Sequence, residues 1–142
     1  MTTVIEENEL NTELQELYLK SKEWISELKF IESDMEFLKS LFGRTFSPLI
    51  KDDNFEKIAE VLINVAKAES VQLDLKNDLQ QYLHQLETLI TDMNPHIELS
   101  IVETHTRIEC RLKAVSEEYV AIKKVIFDLT KRGLKEVAIS RH

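Results

Sequence analysis

Apolar residues recur at alternating steps of three and four through three long segments of this chain. The first seam is Leu10, Leu14, Leu17, Trp24, Leu28, Ile31, Met35, Leu38 and Phe42, interrupted by Ser21. The second is Ile58, Val61, Val65, Ala68, Leu75, Leu79, Tyr82, Leu86, Leu89 and Met93, interrupted by Gln72. The third is Ile101, Ile108, Leu112, Val115, Tyr119, Ile122, Ile126 and Leu129, interrupted by His105. Such spacing places one apolar stripe along an α-helix, as in bundles and coiled coils, so it predicts an all-α fold.

The breaks between the seams predict the ends of the helices. We expect three long helices over about residues 9–42, 53–93 and 95–131 or beyond. Gly43 suits the position just after a helix, where a left-handed residue closes the last turn. Asn94 and Pro95 suit the start of the third helix as N-cap and first helical residue. Gly133 either ends the third helix or is tolerated inside it.

Chain length and connection length predict the topology. With 142 residues the chain has the size of one domain, residues 1–142, in which we expect the acidic residues 1–8 to be a frayed tail. Only two glycines and two prolines occur, which favours few turns and long elements over a sheet. Short connections make neighbouring helices antiparallel, so we predict an up-down-up bundle of three helices.

Charge and cysteine content exclude several classes of partner. The net charge is −8, and a nucleic-acid-binding protein needs a basic surface, so we expect no nucleic-acid partner. An acidic chain is also repelled by anionic lipid, and no apolar run is long enough to span a bilayer. The lone Cys110 cannot form an internal disulfide, and the first residues lack a secretory leader pattern. These features predict a cytoplasmic protein without a membrane partner.

The residue patterns of several helical-bundle enzymes are missing. No Glu precedes a His by three residues, as di-iron bundles require, and there is no His-Glu-x-x-His pattern. The two glycines lie 90 residues apart, so no glycine-rich phosphate loop exists. We therefore expect no enzymatic activity and no cofactor.

Polar residues interrupt each seam. Ser21 and Gln72 fall at similar heights in the predicted bundle, so they could hydrogen-bond to each other. Such a polar layer either lies near a ligand or fixes the helix register, because a buried polar pair disfavours slipped alignments. We favour the second interpretation.

Four residues near the second turn offer an alternative function. His105 and His84 fall at similar heights, with His96 and Glu98 in the turn itself. If their side chains converged, they would provide ligands for a metal, and the protein would be a metal- or small-ligand-binding bundle. His84 points away from its own seam, however, so we favour a partly exposed His105 bonded to a neighbour.

The first helix carries more apolar residues than one seam requires. Phe30 and Phe37 lie seven residues apart outside the seam, and Tyr18 and Ile25 share the same spacing on its other side. Either the helices rotate to include these residues in a wide core, or another helix covers them. We favour the second explanation: a non-enzymatic interaction or scaffold module, in which these four residues bind a partner helix or a second copy, most simply as a homodimer.

Residues 22–42 resemble the first helix of a group of small bacterial helical proteins. Their shared pattern is a Trp, a Glu-Leu pair, an aromatic residue, an acidic residue and a Phe-Leu pair. The matching residues here are Trp24, Glu27-Leu28, Phe30, Glu36 and Phe37-Leu38. The resemblance implies a helical bundle and no particular activity.

Overall fold

The fold is all-α, with three long helices. A computed structural model describes the backbone of residues 4–46, 52–92 and 96–140, and the side chains of residues 10–45, 55–92 and 96–132. Within these ranges no strand occurs. The helices are α1 (Val4–Phe46), α2 (Asp52–Ile90) and α3 (Leu99–Ser140). They form the predicted up-down-up bundle, in which α2 runs against α1 and α3.

The ends of α1 lie outside the predicted limits. The helix begins at Val4, whereas we expected it to begin at about residue 9. It also continues through Gly43 to Phe46, and no described glycine has a positive φ. Gly43 therefore does not close the helix. Glycine permits a left-handed conformation but does not impose it.

The connection between α2 and α3 also differs from the prediction. Residues 96–98 are not helical, and α3 begins at Leu99 rather than at residue 95. The amide N–H of Ile101 donates to the carbonyl oxygen of Glu98 at 3.0 Å, which forms the first turn. Asn94 and Pro95 lie outside the described residues. At its other end α3 passes through Gly133 to Ser140, so this glycine is tolerated inside the helix.

The helices contribute to two compact units. The first unit contains α1 up to Lys29, together with Leu73–Lys113, which includes the α2–α3 connection. The second contains α1 from Phe30, the beginning of α2 up to Gln72, and α3 from Ala114. Each unit thus has a section of all three helices, and each buries its own part of the three seams.

The buried residues confirm the predicted seams. In the first unit the buried seam residues are Leu14, Ser21, Trp24, Leu28, Leu75, Leu79, Tyr82, Leu86, Ile101, Ile108 and Leu112. In the second they are Ile31, Met35, Leu38, Phe42, Ile58, Val61, Val65, Ala68, Gln72, Val115, Tyr119, Ile122 and Ile126. Outside the seams, Ile25, Leu83 and Thr130 are also buried. Burial of these apolar faces, rather than helix propensity alone, stabilises the helices.

Side-chain contacts show the pairing of the helices within each unit. In the first unit, Arg111 Nη1 donates to Asp78 Oδ2 at 2.7 Å. Tyr82, one turn further along α2, contacts His105 in an earlier turn of α3, as antiparallel helices require. In the second unit, Lys39 Nζ of α1 donates to Glu69 Oε2 of α2 at 3.1 Å.

We expect Gly43→Ala to stabilise the protein by about 0.5–1 kcal/mol. Gly43 is helical, and a Cβ atom built on it has no heavy atom within 4 Å apart from its chain neighbours and the backbone of its own helix, so alanine meets no steric conflict. Alanine also reduces the conformational freedom of the unfolded chain. Urea unfolding of the two proteins measures the difference. An unchanged or lower free energy of unfolding would show that α1 does not extend through residue 43 in solution.

Candidate interaction surface

Among the described side chains, the exposed phenylalanines all lie in the second unit. Phe30 is 62% exposed and Phe37 is 59% exposed, so neither side chain belongs to the core that their helix helps to form. Phe55 and Phe127 are the other exposed phenylalanines among the described side chains. Large apolar side chains grouped on a surface are typical of interaction sites.

Asp34 shows which way Phe30 and Phe37 face. Its carboxylate accepts hydrogen bonds from Tyr119 Oη and, at 3.1 Å, from Lys123 Nζ, so this side of α1 lies against α3. Phe30 precedes Asp34 by four residues and Phe37 follows it by three. Residues at these spacings share one side of a helix. The two phenylalanines therefore border the line where α1 meets α3.

Two apolar residues of α3 occupy equivalent positions beside Lys123. Val120 precedes Lys123 by three residues and is 59% exposed, and Phe127 follows it by four and is 40% exposed. The Lys123 ammonium lies 5.7 Å from the centre of the Phe127 ring. We call the surface formed by Phe30, Phe37, Val120 and Phe127 around the Asp34–Lys123 pair the α1–α3 face.

The polar cluster at the centre of the α1–α3 face is internally satisfied. The hydrogen bond from Tyr119 is the main cause that lowers the pKa of Asp34, and Lys123 acts in the same direction. Burial and the hydrogen bond to Asp34 raise the pKa of Tyr119, and the hydrogen bond to Asp34 raises that of Lys123. At neutral pH the face therefore has one negative and one positive group, side by side and partly exposed.

This cluster is not among the residues predicted above, although the sequence contains a signal for it. Tyr119 and Lys123 are four residues apart, so they lie on one side of α3, and Lys123 falls just outside the seam. Asp34 also falls just outside the seam of α1. Opposite charges at flanking positions of neighbouring seams commonly pair across a helix interface. The register of α1 against α3, which decides whether they meet, is not encoded in either helix alone.

Tyr18 and Ile25, the other two predicted interaction residues, lie in the first unit and are not on an exposed stripe. Ile25 is only 8% exposed and belongs to the core. Tyr18 is half-buried, and its hydroxyl donates to Glu87 Oε1 of α2 at 3.3 Å. This side of α1 is therefore covered by α2 of the same chain, so assigning Ile25 to a partner-binding surface was wrong.

The four candidate metal ligands are not brought together. His84 is exposed, whereas His96 Nε2 lies 3.1 Å from Glu98 Oε1 near the start of α3. His105 Nδ1 lies 3.0 Å from Tyr82 Oη, and its ring centre is 4.5 Å from that of Trp24. Among the described residues, no group of three or more His, Cys, Asp or Glu side chains is arranged to hold a metal ion. His105 is instead bonded to a neighbour, as we favoured.

We expect His105 to lose its proton at a pH below 6.5, the ordinary value for histidine. Burial is the main cause that lowers the pKa of His105, because it disfavours the imidazolium. The charge of Glu109 opposes this effect and that of Lys20 adds to it. The folded state thus binds fewer protons than the unfolded state near pH 6, so stability falls as the pH drops through this range. An NMR titration of the imidazole C–H resonances measures the midpoint.

The variant Tyr82→Phe separates burial from hydrogen bonding at His105. Burial itself raises the pKa of Tyr82 to about 12, so its hydroxyl stays neutral in this range. If burial controls the pKa of His105, the midpoint of its titration in Tyr82→Phe stays below 6.5. A midpoint at or above 6.5 in the wild-type protein would contradict the burial of this ring.

A groove lies between α2 and α3 in the second unit. It encloses about 300 Å³, and small apolar residues such as Ala68 and Ala114 line it. Gln72 also lines it, and its buried Nε2 has no hydrogen-bond partner among the described residues. Ser21 Oγ donates to the carbonyl oxygen of Leu17, four residues earlier in α1, at 2.7 Å. The hydrogen bond between Ser21 and Gln72 stays a prediction.

Comparison with known proteins gave no match. No family model, curated protein or solved structure is similar to this chain. The resemblance of residues 22–42 to small bacterial helical proteins therefore stays a prediction. Within the described residues, no helix combines the length and the apolar character needed to cross a membrane.

Proposed function

We propose that this protein is a non-enzymatic interaction module that associates with a second copy of itself through the α1–α3 face. The observation that carries the proposal is the position of four exposed apolar side chains around one ion pair. Two of them, Phe30 and Phe37, are among the interaction residues predicted from the sequence. We also propose a cytoplasmic location. Cys110 is exposed and is the only cysteine in the chain, so no internal disulfide can form.

The size of the α1–α3 face is compatible with a homodimer. From their exposed fractions, the four apolar residues present roughly 400 Å² to solvent, the size of the largest apolar patch on a typical protein, which is often functional. A stable interface buries about 800 Å² on each partner. The four residues supply about half of that area, and the polar residues between and around them supply the rim.

A second copy suits this face because the face carries both charges. A surface with one carboxylate and one ammonium group is complementary to itself once a two-fold axis brings opposite charges together. No separate partner of opposite charge is needed. A module of this kind would bring together whatever each copy binds or carries, which is the role of a scaffold.

We expect Phe37→Asp to weaken self-association by about 30-fold or more, the loss typical of a central aromatic residue in an interface. The carboxylate that this substitution introduces would lose its contact with water against the apolar surface of the second copy, which disfavours association. Sedimentation equilibrium over a wide concentration range measures the dissociation constant, and far-ultraviolet circular dichroism checks that the helices remain.

Ile63→Asp is the matched control for Phe37→Asp. Ile63 is also a large apolar residue of the second unit, 54% exposed, but it lies on α2 outside the α1–α3 face. We expect this variant to associate like the wild-type protein. A wild-type chain that stays monomeric at millimolar concentration would contradict the proposal, as would equal weakening by both substitutions.

A further inference from the structure

We propose that the two copies pair in parallel, so that α1 of each copy packs against α3 of the other. This inference rests on the proposed self-association and adds the arrangement and the pairing of residues. Within the α1–α3 face, Phe37 would contact Phe127 of the second copy, and Asp34 would face Lys123 of the second copy.

When the helices of the two copies are aligned, two arrangements let this face pair with itself about a two-fold axis. If the axis runs along the helices, the copies are parallel and each α1 lies opposite the other copy's α3. If the axis crosses the helices, the copies are antiparallel and each α1 lies opposite the other α1. Both are isologous interfaces, in which the same patch is used twice. The positions of the apolar and charged residues on the α1–α3 face distinguish the two arrangements.

The apolar residues fit both arrangements. Phe30 and Phe37 flank Asp34 at nearly equal distances along α1, and Val120 and Phe127 flank Lys123 in the same way along α3. In either arrangement, the apolar residues of one copy can therefore lie opposite apolar residues of the other, with the Asp34–Lys123 pairs between them. In the parallel arrangement, Phe37 contacts Phe127 of the other copy, and Phe30 contacts Val120 of the other copy. In the antiparallel arrangement, Phe30 contacts Phe37 of the other copy, and Val120 contacts Phe127 of the other copy.

The charges favour the parallel arrangement. The Lys123 and Asp34 side chains are 36% and 20% exposed, so both can approach a second copy. In parallel, each Lys123 lies between its own Asp34 and that of the other copy. In antiparallel, Asp34 faces Asp34 and Lys123 faces Lys123 across an apolar surround, and like charges placed together disfavour an interface.

Mixed chains with single cysteines test the pairing directly. In a Cys110→Ser background, chains with Phe37→Cys are mixed with differently tagged chains with Phe127→Cys and oxidised. We expect disulfide-linked heterodimers of these two chains. A mixture of Phe30→Cys and Phe37→Cys chains should give little such product. If instead the second mixture cross-links and the first does not, the copies are antiparallel and the inference is wrong.

A charge exchange tests the same point with the apolar residues untouched. The double variant Asp34→Lys/Lys123→Asp keeps opposite charges together in a parallel pair of its own copies. Mixed with the wild-type chain, however, it places like charges opposite each other in parallel and opposite charges in antiparallel. We expect native mass spectrometry to show fewer heterodimers than random mixing gives. More heterodimers than random mixing would overturn the parallel arrangement.

These experiments separate the inference from the proposed function. A wild-type chain that stays monomeric in sedimentation contradicts the self-association and the arrangement together. A dimer that forms the Phe30→Cys–Phe37→Cys link keeps the proposed function and contradicts only the arrangement. A dimer with neither disulfide shows that the copies do not pair through the α1–α3 face.

Discussion

Leu38→Asp will unfold the second unit, whereas Phe37→Asp will leave its helices intact. The two residues are neighbours on α1, yet Leu38 is 0% exposed and Phe37 is 59% exposed. Truncation of a buried leucine to alanine alone costs about 2–5 kcal/mol. A buried carboxylate without a partner adds a desolvation cost of several kcal/mol, which together approaches the whole stability of a typical domain.

Circular dichroism and urea unfolding test this pair of variants. We expect Leu38→Asp to lose much of the helical signal, and Leu38→Ala to keep it with a lower unfolding midpoint. For Phe37→Asp, the free energy of unfolding of the monomer should change by no more than about 0.5 kcal/mol, as at ordinary surface sites. If Phe37→Asp unfolds the chain as fully as Leu38→Asp, Phe37 is part of the core and the α1–α3 face is not free.

Gln72→Leu will stabilise the protein by about 1–3 kcal/mol, the cost of a buried donor without a hydrogen bond. Gln72 lies in the seam of α2 and is only 7% exposed, and its Nε2 has no partner in the part of the chain that the structure describes. Leucine is similar in volume and has no polar atom to satisfy. The neighbouring groove between α2 and α3 gives its branched end space to adjust.

Urea unfolding of Gln72→Leu is compared with the same change at Gln80. Gln80 is exposed on α2, so Gln80→Leu should change stability by less than about 0.5 kcal/mol. A loss of stability in Gln72→Leu would show that the Gln72 amide has a partner in solution, such as a bound water. A higher free energy of unfolding in Gln72→Leu would show that the Gln72 side chain does not stabilise the fold.

The location of the core followed directly from the sequence. Every described seam residue that is fully apolar lies at least partly buried, because a helix that buries one side must repeat that side every three or four residues. The helix ends were less predictable. Gly43 and Gly133 both carry a helix-ending signal, and both lie inside helices. A propensity of about 1 kcal/mol at one residue is easily outweighed by the packing of the turns around it.

The candidate site was only half predictable. Phe30 and Phe37 were recognised because they share a side of α1 outside the seam, and their exposure agrees with that reasoning. Ile25 met the same criterion and is buried, and Tyr18, on the same side of α1, contacts Glu87 of α2. Periodicity within one helix shows which residues share a side, but not which neighbouring helix covers that side.

By itself, the sequence determined that the chain forms three long amphipathic helices, since the 3-4 spacing, the scarce glycines and prolines and the short connections leave few other folds. Only the tertiary structure decided which extra apolar residues stay in water and that Asp34 meets Lys123. These features depend on the rotation and register of one helix against another. Many side chains from all three helices set that rotation together, so no single segment of the sequence encodes it.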